Sequence, residues 1–228
     1  MTNQTQAHLI TLTDPRSPVV EAFRTLRTNL EFSSLDHPIK TLVVTSPGDG
    51  EGKSTTLANL AVTTAQAEKT VCLVDCDLRR PSLHHLFGLN NDIGLTSMVR
   101  DDSLRDAPPF QSTQVPGLRV LTSGPLPPNP SELLGSRRME EIIATLSRLS
   151  DLVLFDAPPI TIVTDAAVLA SKVDGVLLVV SAGHTRREHA RRAKTLLEKV
   201  NARLVGVVLN NASFDAGLRG AYTADGAL

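Results

Sequence analysis

Apolar runs recur along the chain at residues 41–45, 71–74, 118–122, 152–155, 176–180 and 204–209. Most are unbroken, as in Leu42-Val43-Val44 and Val176-Leu177-Leu178-Val179-Val180, rather than alternating with polar residues. Strands covered on both faces read this way, so the runs predict a mostly parallel sheet. Between them, apolar positions at helical spacing predict helices over 19–32, 53–67, 131–149, 165–170 and 186–200. In the second helix Leu57, Leu60, Ala61 and Ala65 form the stripe, and Ser131 and Glu132 give the third a cap and an acidic first turn. The alternation predicts one open, three-layer α/β domain over residues 18–211, with its ligand beyond the carboxyl ends of the strands. Residues 1–17 and 212–228 have no periodicity and are expected to be flexible arms. The stretch Gly124-Pro125-Leu126-Pro127-Pro128-Asn129-Pro130 is stiff by composition.

The first predicted strand runs into Ser46-Pro47-Gly48-Asp49-Gly50-Glu51-Gly52-Lys53-Ser54-Thr55, and the second predicted helix starts at its end. Glycines let successive backbone N–H groups turn toward one anion, and a helix N-terminus adds unpaired N–H groups and the positive end of its dipole. Lys53 can then reach terminal phosphates, and the Ser54 hydroxyl can bind the magnesium they carry. Residues 48–55 are therefore the expected phosphate site, with Pro47 where the commonest spacing has its first glycine.

Two more strands end in carboxylates at the same edge. Asp75 and Asp77 close the second and Asp156 the fourth. Asp75 and Asp77, two apart on extended chain, are expected to project to one side. Magnesium in phosphoryl-transfer sites keeps several waters and takes few carboxylates. The expected division gives Asp156 and one of the pair, with Asp75 the first candidate, to the metal and its waters. The other accepts a proton from the attacking hydroxyl.

Composition bounds the rest. The chain has 228 residues, 41% of them hydrophobic, which suffices for the core of one sizeable domain. No apolar run is long enough to cross a bilayer and Met1-Thr2-Asn3-Gln4 has no signal-peptide character, so a cytoplasmic protein is expected. A net charge of −1 gives no general attraction to nucleic acid, and no nucleic-acid partner is expected. Cys72 and Cys76 lie too close on one extended segment for a disulfide and read as reduced bystanders. His84 and His85 have no companion ligands. In the first predicted helix Val19, Phe23, Leu26 and Leu30 make an apolar stripe, while Glu21, Arg24 and Arg27 make a charged ridge that suits either solvent or another subunit. His184, Arg186, Arg187, His189, Arg191, Arg192 and Lys194 make the last helix basic, a solvated face or a surface for anionic membrane.

From Ser17 to Asn211 the chain resembles the bacterial tyrosine kinases of capsule and exopolysaccharide synthesis, P-loop NTPases of the deviant-Walker type. The resemblance rests on the loop from Thr45 to Thr55, on Asp75-Cys76-Asp77-Leu78-Arg79 as an Asp-x-Asp-x-Arg element, and on Phe155-Asp156-Ala157-Pro158-Pro159. Glu21-Ala22-Phe23-Arg24-Thr25-Leu26-Arg27 matches a Glu-x-x-Arg-x-x-Arg element that joins subunits into a ring in relatives. Residues 121–124, 129–134 and 164–167 are also family-like. The resemblance implies ATP and Mg2+ as cofactors, catalysis by Lys53, Asp75, Asp77 and Asp156, and nucleotide contacts from Arg79 and Asn210. It implies a homo-oligomeric ring in which one subunit's tail tyrosine is phosphorylated by its neighbour, along with other protein tyrosines. A membrane-embedded chain-length regulator is the implied activating partner and would recruit the chain to the inner face of the membrane. Relatives carry clusters of tail tyrosines; here the chain's single tyrosine, Tyr222, is the expected acceptor. Two other functions share these motifs. One is an assembly ATPase with vestigial tyrosine transfer. The other is a partition or division-site ATPase, which normally has a further lysine where this loop has Gly48.

Overall fold

Each predicted strand forms in the computed structural model, which describes residues 9–213. In chain order the strands are β1 (Thr41–Thr45), β2 (Val71–Asp75), β3 (Gln111–Ser112), β4 (Leu118–Leu121), β5 (Leu152–Asp156), β6 (Gly175–Ser181) and β7 (Leu204–Asn210). They make one sheet in the order β3-β4-β2-β5-β1-β6-β7, parallel except for β3, which pairs antiparallel with β4. Gln111 and Ser112 present no apolar signal, so hydrophobic patterning does not predict β3.

The helices are α1 (Ile10–Thr13), α2 (Pro18–Ser33), α3 (Lys53–Ala65), α4 (Leu83–Phe87), α5 (Leu95–Arg100), α6 (Ser103–Asp106), α7 (Pro130–Gly135), α8 (Arg137–Leu149), α9 (Asp165–Ala170) and α10 (Arg187–Lys199). Alternate residues of each central strand enter different cores. Leu42, Val44, Leu73 and Leu154 pack with Leu57, Leu60 and Leu83 on one face. Val43, Val74, Val153 and Phe155 pack with Met139, Ile142, Leu169 and Leu197 on the other. This double burial explains the unbroken apolar runs.

Two expectations are corrected. The single helix over 131–149 is two, α7 and α8, because Ser136 is extended (φ −68°, ψ 155°) and its hydroxyl accepts the N–H of Met139. The supposed arm over 1–17 is packed where it is described. Leu9 is fully buried, and Thr11 donates to Asn59 Oδ1 through its N–H at 3.1 Å and its hydroxyl at 2.8 Å. Tyr222 and the rest of the expected C-terminal arm beyond residue 213 lie outside the described residues. Among the described residues, no helix is long and apolar enough to cross a membrane.

Candidate active site

β1 delivers the chain to the loop, and α3 takes it away at Lys53. The turn between them requires glycine. Gly50 and Gly52 have φ of 71° and 85°, and a Cβ on Gly52 would lie 2.1 Å from Asn210 Nδ2. Gly52 caps α3 without a side chain, so the first N–H groups of α3 have no side-chain acceptor there.

The loop is bracketed from both sides. Thr161 Oγ1 donates to Pro47 O at 2.6 Å, and Ile160 N–H to Ser46 O at 2.9 Å, which ties the loop to the turn after β5. On the other side Glu51 is almost completely buried. Its carboxylate accepts the N–H of Gly48 at 3.1 Å and the hydroxyl of Thr185 at 2.6 Å, while Thr185 Oγ1 accepts the N–H of Ser181 at 2.7 Å. Asn210 Nδ2 donates to Glu51 O at 3.0 Å. Glu51 is therefore part of the loop's scaffold, and Thr185 is its partner. Nothing in the sequence marked Thr185, an ordinary polar residue in a connection.

Lys53 reaches inward from the first turn of α3. Its Nζ lies 3.0 Å from Asp77 Oδ2, 3.1 Å from Ser54 Oγ and 3.6 Å from Asp156 Oδ1. Burial works to lower its pKa, but the carboxylates of Asp156, Asp77 and Asp75 together outweigh burial and raise it. Asp156 ends β5 with no solvent exposure, and neither of its oxygens has a hydrogen-bond partner. Burial raises its pKa, opposed in part by Lys53. The Lys53 charge offsets part of the cost of burying this carboxylate, and the carboxylate's unused hydrogen-bonding capacity leaves room for a hydrated cation. Its acceptor-only oxygens beside the Ser54 hydroxyl fit a magnesium ion with its waters.

Asp75 and Asp77 do not act as a matched pair. Asp75 Oδ2 accepts the N–H groups of Ser82 and Leu83, each at 2.9 Å, and its Oδ1 accepts that of Asp77 at 3.2 Å. It thus folds the 76–82 loop onto the start of α4, while Asp77 alone of the two meets Lys53. Burial, followed by the charge of Asp156, pushes the Asp75 carboxyl up to about 7 despite those N–H groups. Of the remaining expected ligands, Arg79 is engaged by Asp165 at the start of α9, Nε to Oδ2 at 2.8 Å and Nη2 to Oδ1 at 3.1 Å. Ser131 also donates to Asp165, so residues from β2's end, α7 and α9 meet there. Asp49 pairs across the loop mouth with Arg80 at 3.3 Å, in the open.

Away from the site, the ridge on α2 is split. Glu21 and Arg24 pair with each other and are exposed. Arg27 turns toward α3 and donates to Thr63 O at 3.0 Å. Cys72 and Cys76 are free thiols, both buried; burial pushes Cys72 up to about 12 and holds Cys76 well above its usual value, so neither is a ready metal ligand.

The family described as ParA, NUBPL iron-transfer P-loop NTPase, matches residues 38–221. Tyrosine-protein kinase YwqD of Bacillus subtilis is 46% identical over 206 residues, covering 90% of this chain and 86% of that protein. The kinase domain of Escherichia coli tyrosine kinase ETK superposes with a TM-score of 0.87 at 32% identity, covering 95% of this chain and 84% of that one. The chimerical protein CapA2B2 superposes with a TM-score of 0.85 at 40% identity, covering 90% of both chains. Identity at this level, carried across nearly the whole described fold and its phosphate loop, makes the chain a member of the bacterial tyrosine-protein kinase family, built on the P-loop NTPase fold.

Proposed function

We propose that this chain is an ATP-dependent protein-tyrosine autokinase that regulates capsular or exopolysaccharide polymerisation or export. Its proposed acceptor is Tyr222 of a neighbouring subunit in a ring, and other protein tyrosines are further substrates. A membrane-embedded chain-length regulator is its proposed activator and recruits it to the inner face of the membrane. The observation that carries the reading is the buried Asp156 carboxylate, without a hydrogen-bond partner and 3.6 Å from Lys53 Nζ, at the head of a glycine-rich loop.

In this reading, the N–H groups of residues 50–54 hold the phosphates of ATP, and the Lys53 ammonium leaves Asp77 and Asp156 to meet them. Ser54 and Asp156 would hold magnesium, which would supply positive charge to offset that of the phosphates. Asp77, freed of Lys53, accepts the phenol proton as the tyrosyl oxygen bonds to the γ-phosphorus and the β–γ bridging oxygen departs with ADP. In this reading Asp75 lies outside the set and positions Asp77, which its three backbone N–H bonds support. Arg79 is likewise held by Asp165, and reaches nucleotide only by exchanging that pair.

The test is intact-mass and peptide mass spectrometry after incubation with Mg-ATP, with Lys53→Met as control and with the activator's cytoplasmic tail supplied. Phosphate is expected on Tyr222 of the wild type, with transfer reduced on the order of a hundredfold or more in the variant. ATP turnover that leaves Tyr222 unmodified would instead favour an assembly ATPase.

A further inference from the structure

Most arginines on the described surface are engaged: Arg24 by Glu21, Arg79 by Asp165, Arg105 by Asp102, and Arg203 by the carbonyls of Ser33 and His37. Helix α10 departs from this. Arg186, Arg187, Arg191 and Arg192 are exposed, and among the described residues they have neither an ion pair nor a hydrogen bond from their side chains. Lys194 has only Glu198, at 3.6 Å. Arg187, Arg191 and Lys194 fall at i, i+4 and i+7, so they line one face, with Arg192 further round the exposed side of the helix. Glu188 and Glu198 are the only acidic residues of the helix. Arg187 and Arg191, four apart, repel one another, a small cost to the helix that an anion bound between them would remove. In a chain of net charge −1 the concentration is local.

Its place in the fold says which anion. α10 follows the connection from β6 that holds Thr185, whose hydroxyl is 2.6 Å from Glu51 of the phosphate loop. Two residues later the stripe begins, at the same end of the sheet as the proposed transfer site. A tyrosine brought to that site carries its flanking residues over this rim. The helix exposes no large apolar or aromatic side chain that would insert into a bilayer.

We propose that the basic stripe of α10 is a docking surface for acidic residues flanking the tyrosine of a protein substrate. The use of the surface rests on the kinase reading; its existence does not. Residues 214–228, with Asp215, Asp225 and Arg219 around Tyr222, are close to neutral, so the surface suits acidic segments of other proteins better than the chain's own tail.

The test measures fluorescence anisotropy of a labelled peptide with glutamates on both sides of a tyrosine, against the same peptide with glutamines. Both are titrated with the full chain, with Arg187→Glu/Arg191→Glu, and with Arg187→Gln/Arg191→Gln should the first variant fold poorly. The glutamate peptide is expected to bind at least about tenfold tighter, and that preference is expected to vanish in the variants and in about 0.5 M salt, where charges are screened beyond a few ångströms. ATP hydrolysis is expected to be unchanged, since these arginines touch none of the proposed catalytic groups. Equal affinity for the two peptides, or binding that survives the substitutions, overturns the proposal. So does binding to phosphatidylserine vesicles without binding of the glutamate peptide, which would make the stripe a membrane surface. If the glutamate peptide binds as expected but, in Mg-ATP with the activator's cytoplasmic tail supplied, neither it nor Tyr222 is phosphorylated, docking stands and the kinase reading fails.

Discussion

Lys53 sits among three carboxylates because the end of β2 contributes Asp75 and Asp77 and that of β5 contributes Asp156, and the three fare differently although their residue type is the same. Asp77 takes the lysine's hydrogen bond, Asp156 has only its charge at 3.6 Å, and Asp75 is spent on backbone N–H groups. The raised carboxyl of Asp75 has a consequence for stability. A carboxyl whose folded pKa lies above its unfolded value binds its proton more tightly when folded, so its contribution is complete at acid pH. It is lost as pH rises from the ordinary value of 3.8 through about 7. Asp156 acts in the same direction, whereas the raised Lys53 pKa matters only in alkali, above 10.5. In EDTA and without nucleotide, the melting temperature of the wild type is expected to fall between about pH 4 and pH 7, and Asp75→Asn to flatten that fall. Differential scanning calorimetry across the series decides it; an unchanged slope would show that Asp75 does not titrate there.

At the scale of elements, side-chain hydroxyls and glycines set the boundaries that periodicity blurs. Ser136 ends α7 and caps α8 through the Met139 N–H at 3.2 Å. Removing the cap leaves that N–H without its side-chain acceptor, so Ser136→Ala is expected to cost about 1 kcal/mol in urea unfolding with no change in the denaturant slope. A loss near zero would mean that water replaces the hydroxyl there. Hydrophobic periodicity does not predict α1, α4, α5 or α6. At 4, 5, 6 and 4 residues they are too short to show a repeat, and what holds them is contact with the rest of the chain, such as Asp75 on α4 and Asn59 on residue 11.

For the whole molecule, the question is how copies of it associate. In the proposed ring the α2 element is the interface, and the split ridge divides the work among its residues. Glu21 and Arg24 are free to face a neighbour once their own pair opens, while Arg27 also bonds α2 to α3 within the subunit. Glu21→Ala/Arg24→Ala is therefore expected to give a monomer with an unchanged melting temperature, and Arg27→Ala to lower that temperature as well. Light scattering and thermal melts on the same samples separate the two effects; a ring that survives the double substitution removes α2 from the interface. What the sequence determined by itself was whatever is written in local repetition: the six long strands, whose two buried faces leave unbroken apolar runs, the major helices, and the phosphate loop, whose glycines and Lys53-Ser54 are contiguous. The tertiary structure alone decided which equal-looking residues share a task. Asp75 and Asp77 differ only in which backbone and side-chain groups fold against them. Glu51 finds Thr185 across a separation of 134 residues, and Arg79 finds Asp165 across 86. Such pairings are set by strand order and crossover path, and no local pattern of hydrophobic and polar positions encodes them.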